Sequence, residues 1–321
     1  MQWEEMLLAT VSSFAITLIL MPFVIGYFRV KQLGQTTREE GPTWHEVKTG
    51  TPTMGGVVFI ISGILTMVWS GLWQNVFTVS LGLLMFILVL YGILGFLDDY
   101  IKLIKKRNLG LTSLQKLIGQ VAGGLLFYIV YRMQGFPSEL TIPGLGGVNL
   151  GWFYGLFIIF WLVGFSNAVN LTDGLDGLAT GTSIVAYGTY AIIAFHQQQT
   201  DVLIFCLAII GGLIGFLLFN KKPAKIFMGD VGSLALGGGL AAVSILLKQE
   251  WTLLLVGLIF IMETTSVILQ VGSVKIRNKR IFKMAPIHHH FEMSGWSEWK
   301  IVLTFWSVGL VMALLTLWIV L

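Results

Sequence analysis

Asn167, Asn170, Asp173 and Asp176 recur every three residues within NAVNLTDGLDGLATG, residues 167–181. On a helix end that interval sets two amides and two carboxylates on neighbouring faces. The interspersed glycines allow backbone to approach a ligand closely or to take positive φ. A capped turn between two helices is the plainer reading. Such a turn needs turn formers, but not a repeated spacing of amides and acids.

Three other stretches carry comparable groups. GFLDDYIK, residues 95–102, places Asp98 beside Asp99 and Lys102 one turn on. Adjacent carboxylates on a helix point about 100° apart and repel unless a cation is near. Mg²⁺ suits them, because it takes carboxylate oxygens and completes its shell with water and substrate phosphate. The alternative, a solvated helix terminus, sets two acids against the macrodipole. FNKKPAKIFMGDVGS, residues 219–233, offers Asn220, lysines, an aromatic (Phe227) that could stack on a planar base, and Asp230. Asp230 is open to two readings, an N-cap or a third metal ligand. KTGTPTMGG, residues 48–56, combines Lys48, threonines including Thr53, and Gly-Gly at a helix mouth. Backbone N–H groups and a lysine there suit a phosphate, although a capped helix start explains the same residues. It is not a P-loop, since GxxxxGK[ST] occurs nowhere in the chain.

KMAPIHHHFE, residues 283–292, holds His288, His289 and His290. At most His288 and His290 are expected to share a side, and no cysteine accompanies them, which argues against zinc. Histidines near neutral pH can hold pyrophosphate, move protons or orient a carboxylate; an incidental surface run is the alternative.

The elements that must position these groups are membrane spans. The 321 residues are 55% hydrophobic and 11% charged, whereas soluble domains carry about 25% charged residues. Ten apolar runs are long enough to cross a bilayer: 6–28, 53–69, 77–97, 114–131, 152–165, 178–195, 202–219, 231–247, 251–274 and 301–321. The first is too long for a leader's apolar core and follows Glu4 and Glu5, so a spanning helix is expected there. Of the 20 basic residues, 18 lie in the first, third, seventh and ninth loops, among them Arg38, Lys106, Arg107 and Lys116. Only Arg132 and Lys248 lie elsewhere. The positive-inside rule then makes those loops cytoplasmic and sets both termini outside.

The expected fold is an all-α polytopic integral membrane protein of ten transmembrane helices, one membrane-embedded domain over residues 1–321. A small extracytoplasmic hairpin is expected over residues 135–151, which are rich in Gly and Pro. Asp98, Asp99, Asp173, Asp176 and Asp230 all fall at cytoplasmic helix ends, which points to a shared polar site. Glu263 instead lies inside the ninth run, as a functional acid or as a helix break satisfied by nearby hydroxyls. The modest net charge of +4 gives no reason to expect nucleic acid as a partner, and the lone Cys206 excludes an internal disulfide or cysteine cluster. Acids, lysines and glycine-rich helix mouths on one face describe a phosphoryl-transfer site with a lipid substrate. A transporter would instead place its acids near mid-membrane in broken helices or repeats.

The motifs KTGTPTMGG, GFLDDYIK, NLTDGLDGLA, FMGDVGSLALGG and PIHHHFE occur in the order that identifies the chain as resembling the polyprenyl-phosphate N-acetylhexosamine-1-phosphate transferases. PIHHHFE with KTGTPTMGG is similar to the muramoyl-pentapeptide branch rather than to sister enzymes that use UDP-N-acetylglucosamine. Met293-Ser294 after HHHFE departs from relatives that carry a lysine there. The resemblance implies an enzyme of the bacterial plasma membrane, a homodimer, that joins undecaprenyl phosphate to UDP-N-acetylmuramoyl-pentapeptide at the cytoplasmic face with Mg²⁺. It implies that Asp98 and Asp99 act on the lipid phosphate and that Asp230 binds the metal with them. Asn170, Asp173, Asp176 and Phe227 would form the uridine pocket, with Asn220, Lys48 and Thr53 near it. Lys102 and Lys116 would hold phosphate, and His288, His289 and His290 would meet phosphate or sugar, with His289 singled out as catalytic. Direct attack and a covalent aspartyl-phosphate route would need the same acids. A break or bend in helix nine is implied near Glu263.

Overall fold

The computed structural model describes residues 3–31, 34, 48–105, 110–142 and 146–321. Arg38, Lys106 and Arg107 therefore lie outside the described residues, as do 143–145 at the tip of the expected hairpin.

Among the described residues, ten helices are long and apolar enough to cross a membrane. They are α1 (Trp3–Val30), α2 (Gly56–Trp73), α3 (Val79–Ile104), α4 (Ser113–Met133), α5 (Phe153–Thr172), α6 (Leu178–His196), α7 (Thr200–Asn220), α8 (Gly229–Leu246), α10 (Leu258–Arg277) and α12 (Glu298–Val320). Two short helices complete the set, α9 (Leu253–Val256) and α11 (Ile287–Glu292). β1 (Glu139–Ile142) and β2 (Gly146–Asn149) pair antiparallel, Glu139 opposite Asn149 and Ile142 opposite Gly146.

Several helices run past the ends that hydropathy assigns. α3 continues through Asp98, Asp99 and Lys102 to Ile104, and α5 through Asn167 and Asn170 to Thr172. Hydropathy drops at the polar residues, but the backbone ladder persists because those side chains find partners across the bundle. The break in the ninth span falls at Gly257, between α9 and α10, rather than at Glu263, which lies within α10.

α8 is the central helix, packed by α3 and α5 and touched by α2. Val231 through Leu246 are all buried. Lipid supplies no hydrophobic push between helices, so close association depends on small residues that let backbones meet. The sequence GSLALGGGLAA supplies them. A Cβ at Gly95 of α3 would land on the Asp230 carbonyl, so this glycine sets the α3–α8 approach. A second, smaller apolar cluster (Leu175, Leu178, Ile259, Ile301, Val302, Phe305) seats α12 against the start of α6.

The hairpin lies at the bundle end opposite the acids. Lys248, one of the two basic residues outside the basic loops, fastens it there. Its Nζ donates to the Glu139 carbonyl at 2.5 Å and to Tyr154 Oη at 2.8 Å, and it pairs with buried Glu250 at 3.0 Å. Tyr154 Oη in turn donates to Glu250.

Candidate active site

The C-terminal ends of α3 and α5 and the N-terminal ends of α4 and α8 converge on one polar centre. Asp98, Asp99 and Asp230 each bring a carboxylate oxygen within 4.8 Å of the others. Two lysines enter it. Lys102 Nζ is 2.5 Å from Asp98 Oδ2, 3.7 Å from Asp99 Oδ1 and 3.2 Å from Asp230 Oδ2. Lys116 Nζ is 3.1 Å from Asp98 Oδ2 and 2.7 Å from Asp230 Oδ2. The remaining oxygens are fixed by neutral donors. Leu111 N–H donates to Asp98 Oδ1 at 2.7 Å, Val231 N–H to Asp99 Oδ2 at 3.2 Å, and Asn170 Nδ2 to Asp230 Oδ1 at 3.0 Å.

Asp230 is the second residue of α8 and caps nothing; Met228 is at the cap position. Its carboxylate meets Asn170 and the two lysines, so the capping reading of this residue does not hold. Asp98 Oδ2 is buried against the Lys102 and Lys116 ammonium groups and has no neutral donor. Three hard oxygen donors around such an atom match a small divalent cation.

A second charged group lies alongside. Lys48 Nζ donates to Asp176 Oδ1 at 2.7 Å and to Glu298 Oε1 at 2.6 Å. Glu298, at the start of α12, also accepts from Asp176 N–H at 2.9 Å and pairs with Lys222 at 2.9 Å. Asp176 Oδ2 accepts from Ala224 N–H at 2.9 Å. Burial pulls the Lys48 ammonium down, but Glu298 and Asp176 more than offset it, so its pKa is raised.

Asp173 sits between the two groups. Its carboxyl is pushed up to about 7, first by burial and then by the charges of Asp230 and Asp176, against Gly229 N–H and His288, which favour the anion. A raised acid pKa means that the folded state holds the proton more tightly than the unfolded chain. The protonated form's advantage is present at low pH and is lost as pH rises from about 4 toward 7. Asp173→Asn is therefore expected to raise the melting temperature by a few degrees at pH 8, with no gain at pH 4, as scanning calorimetry in detergent would measure.

The five acids thus form two clusters linked through Asp173. The Gly55-Gly56 mouth of α2 departs from its phosphate reading. Gly55 N–H donates to the Phe227 carbonyl and Gly56 N–H to the Met228 carbonyl, both at 2.9 Å. Those donors bind the α7–α8 connection, to which Pro52 also contributes by accepting from Phe227 N–H at 2.8 Å. Phe227 is half-buried at this junction and Thr53 is buried beside Gly229. Asn220 accepts from Thr180 Oγ1 at 2.7 Å and donates to the Ile226 carbonyl at 3.1 Å, which fixes the same connection. Gly229 has φ +76°, and a Cβ there would strike Asp99 Oδ2. Gly229→Ala is expected to shift Asp99 and Asp230 together and to lower turnover about 10²-fold, since a displacement near 1 Å costs that much. Wild-type turnover of that variant would contradict the geometry.

The three histidines lie on a helix, α11, so His288 and His290 do not share a side. His288 is 1% exposed, and its Nδ1 lies 3.0 Å from Oε2 of the wholly buried Glu263. Its Nε2 has no hydrogen-bond partner among the described residues and faces Gly174, where a Cβ would collide with it. His289 Nδ1 lies 2.7 Å from Glu292 Oε2, and His290 Nδ1 accepts from Lys283 N–H at 3.1 Å. Glu263 is thus the acid that orients His288, within an unbroken helix.

Sequence reasoning missed Glu298, and it missed Gln120 and Ser166, which form a chain with Asn167 of the amide and acid repeat. Gln120 Oε1 accepts from Asn167 Nδ2 and its Nε2 donates to Ser166 Oγ, each at 3.0 Å. Gln120 is one turn from Lys116, and Asn167 one turn from Asn170. That spacing is the sequence signal Gln120 carries; Asn167 also stands first in the amide and acid repeat.

The family model described as glycosyl transferase family 4 matches residues 80–248, which include Asp98, Asp99, Asn170 and Asp230. Phospho-N-acetylmuramoyl-pentapeptide-transferase signature 1 matches residues 48–60. The chain is 65% identical over 319 residues to the phospho-N-acetylmuramoyl-pentapeptide-transferase of Enterococcus faecalis, covering 99% of each. It is 62% identical to that of Enterococcus hirae over 321 residues, all of both chains, and 61% to that of Lacticaseibacillus paracasei over 97% of each. With the Asp98, Asp99 and Asp230 centre inside the matched segment and the likeness running the length of the chain, this protein belongs to glycosyl transferase family 4 and, within it, to the phospho-N-acetylmuramoyl-pentapeptide-transferases.

Proposed function

We infer that the chain transfers phospho-N-acetylmuramoyl-pentapeptide from UDP-N-acetylmuramoyl-pentapeptide to undecaprenyl phosphate, releasing UMP. The whole chain acts as one transferase unit, a homodimer in a bacterial plasma membrane, with its acids at the cytoplasmic end. The observation that carries this reading is the joining of Asp98, Asp99 and Asp230 with Lys102 and Lys116 at the ends of spanning helices. A phosphate on a lipid tail can reach such a centre from the bilayer. The orientation rests on the lysines and arginines gathered at the same helix ends.

Each group has a task suited to its place. An oxygen of undecaprenyl phosphate attacks the sugar-bearing β-phosphorus; the bond from that phosphorus to the bridging oxygen breaks, and its electrons leave on UMP. Leu111 N–H holds Asp98 Oδ1, which leaves Oδ2, facing the lysines, as the atom that orients the acceptor phosphate and takes its proton. Lys102 and Lys116 are placed to exchange carboxylate for phosphate oxygens. Asn170 keeps Asp230 turned toward the centre. Asp98, Asp99 and Asp230 would hold Mg²⁺, which when bound neutralises charge on the diphosphate. Asp173, Asp176, Asn220, Phe227, Lys48 and Thr53 form the wall for the uridine nucleotide, and His288, His289 and His290 close the sugar-phosphate side.

UMP release by the purified protein, with undecaprenyl phosphate and either UDP-N-acetylmuramoyl-pentapeptide or UDP-N-acetylglucosamine, tests the reading. Release with the first donor alone is expected. Release with the second alone would move the activity to the sister transferases.

A further inference from the structure

Beside the charged group of Lys48, Asp176 and Glu298 lies a cleft of about 380 Å³ walled by Lys222, Glu292, Gly295, Trp296, Ser297 and Glu298. Resting on the activity inferred above, we propose that this cleft holds the peptide portion of the sugar-nucleotide donor.

Position is the first argument. The cleft shares Glu298 with the Lys48–Asp176 cluster and Glu292 with His289. It is therefore continuous with two elements assigned to the donor, one on the nucleotide side and one on the sugar-phosphate side. A peptide attached to that sugar cannot run into the bilayer, where every unpaired backbone N–H and C=O costs several kcal/mol. Five extended residues reach at most about 17 Å, so the peptide must find its contacts at this polar end of the bundle, near the sugar. The volume is at the lower end of the range for ligand sites, about 300–1,000 Å³, enough for part of the peptide with the rest in water.

Chemistry is the second argument. Trp296 is a half-buried aromatic wall, braced by Phe291 at 4.9 Å between ring centroids and covered by Lys300 Nζ at 4.1 Å. Such a wall takes small apolar side chains, and the ammonium over it adds positive charge at its edge. Lys222 is the most exposed member of the neighbouring ion-pair group, its side chain 42% accessible against 19% for Lys48 and 5% for Glu298. It can turn from Glu298 to a peptide carboxylate without leaving Glu298 unpaired, because Lys48 stays bound to that acid.

The test compares two donors by calorimetry on the full chain in detergent: UDP-N-acetylmuramoyl-pentapeptide and UDP-N-acetylmuramic acid, which lacks the peptide. The wild type is expected to bind the first about tenfold more tightly, a difference of about 1.4 kcal/mol. Lys222→Ala and Trp296→Ala are expected to remove that preference and leave the affinity for the second donor unchanged; Trp296→Phe should keep it. Lys222 is at the surface, so its variant still answers the question if Trp296→Ala does not fold. Equal wild-type affinity for the two donors, or variants that retain the preference or weaken both donors alike, would overturn the proposal. A wild type that binds neither donor would instead overturn the activity on which the proposal rests.

Discussion

Asp230→Asn is expected to lower UMP release by about 10³-fold or more while the protein remains a folded, monodisperse particle in detergent. The change keeps size and shape and removes one charge. Asp230 Oδ2 receives both Lys102 and Lys116, and Oδ1 receives Asn170. With the carboxylate gone, two ammonium groups face Asp98 and Asp99 alone, the lysines lose the position from which they are proposed to meet phosphate, and one of the three carboxylates proposed to hold the metal is weakened. Removing a single preorganised donor or charge in such a site costs about 10²–10³ in rate, and here several are disturbed together. The fold is expected to survive, because α8 is held along its length by apolar packing against α3 and α5. Wild-type-like release by this variant would remove Asp230 from the mechanism.

Lys48→Met is expected to act on stability as well as on turnover. Lys48 is the cation shared by two acids that are nearly inaccessible, Asp176 at 4% and Glu298 at 5% of their side chains. Breaking a buried pair by deleting one partner costs about 3–5 kcal/mol, because the other charge is left uncompensated. Lys222 remains on Glu298 and Ala224 N–H on Asp176, which holds the loss toward the lower figure. The cluster joins the segment before α2, the α5–α6 turn, the α7–α8 connection and the start of α12. Its loss should therefore loosen the donor site, raising KM for the donor more than it lowers kcat. A melting temperature and KM equal to wild type would show that Lys48 carries neither role.

The two variants separate what was legible in the sequence from what was not. Asp98, Asp99 and Asp230 could be read as one centre from residue type and from their place at helix ends of one membrane face. Five acids gathered at the ends of apolar runs point to a shared polar site, and the alternation of basic loops puts them on the same side. The ten spans were legible for the same reason, since a bilayer imposes length and composition together. Helix ends were not, because Asn170 and Lys102 look like loop residues until their partners across the bundle are known. Glu298 was passed over as a charge at the start of a span; its pairing with Lys48 joins residues 250 positions apart. The histidines were misjudged in register because α11 is a helix of six residues, too short for periodicity to reveal. Nothing local in the sequence says that His288 turns inward to Glu263, 25 residues earlier.

The most direct test of the central claim, that three carboxylates and two lysines form a magnesium-dependent phosphoryl-transfer centre, is UMP release by the purified chain before and after chelation. With undecaprenyl phosphate and UDP-N-acetylmuramoyl-pentapeptide present, a chelator is expected to abolish release and added Mg²⁺ to restore it. Release that continues undiminished in excess chelator would contradict the claim.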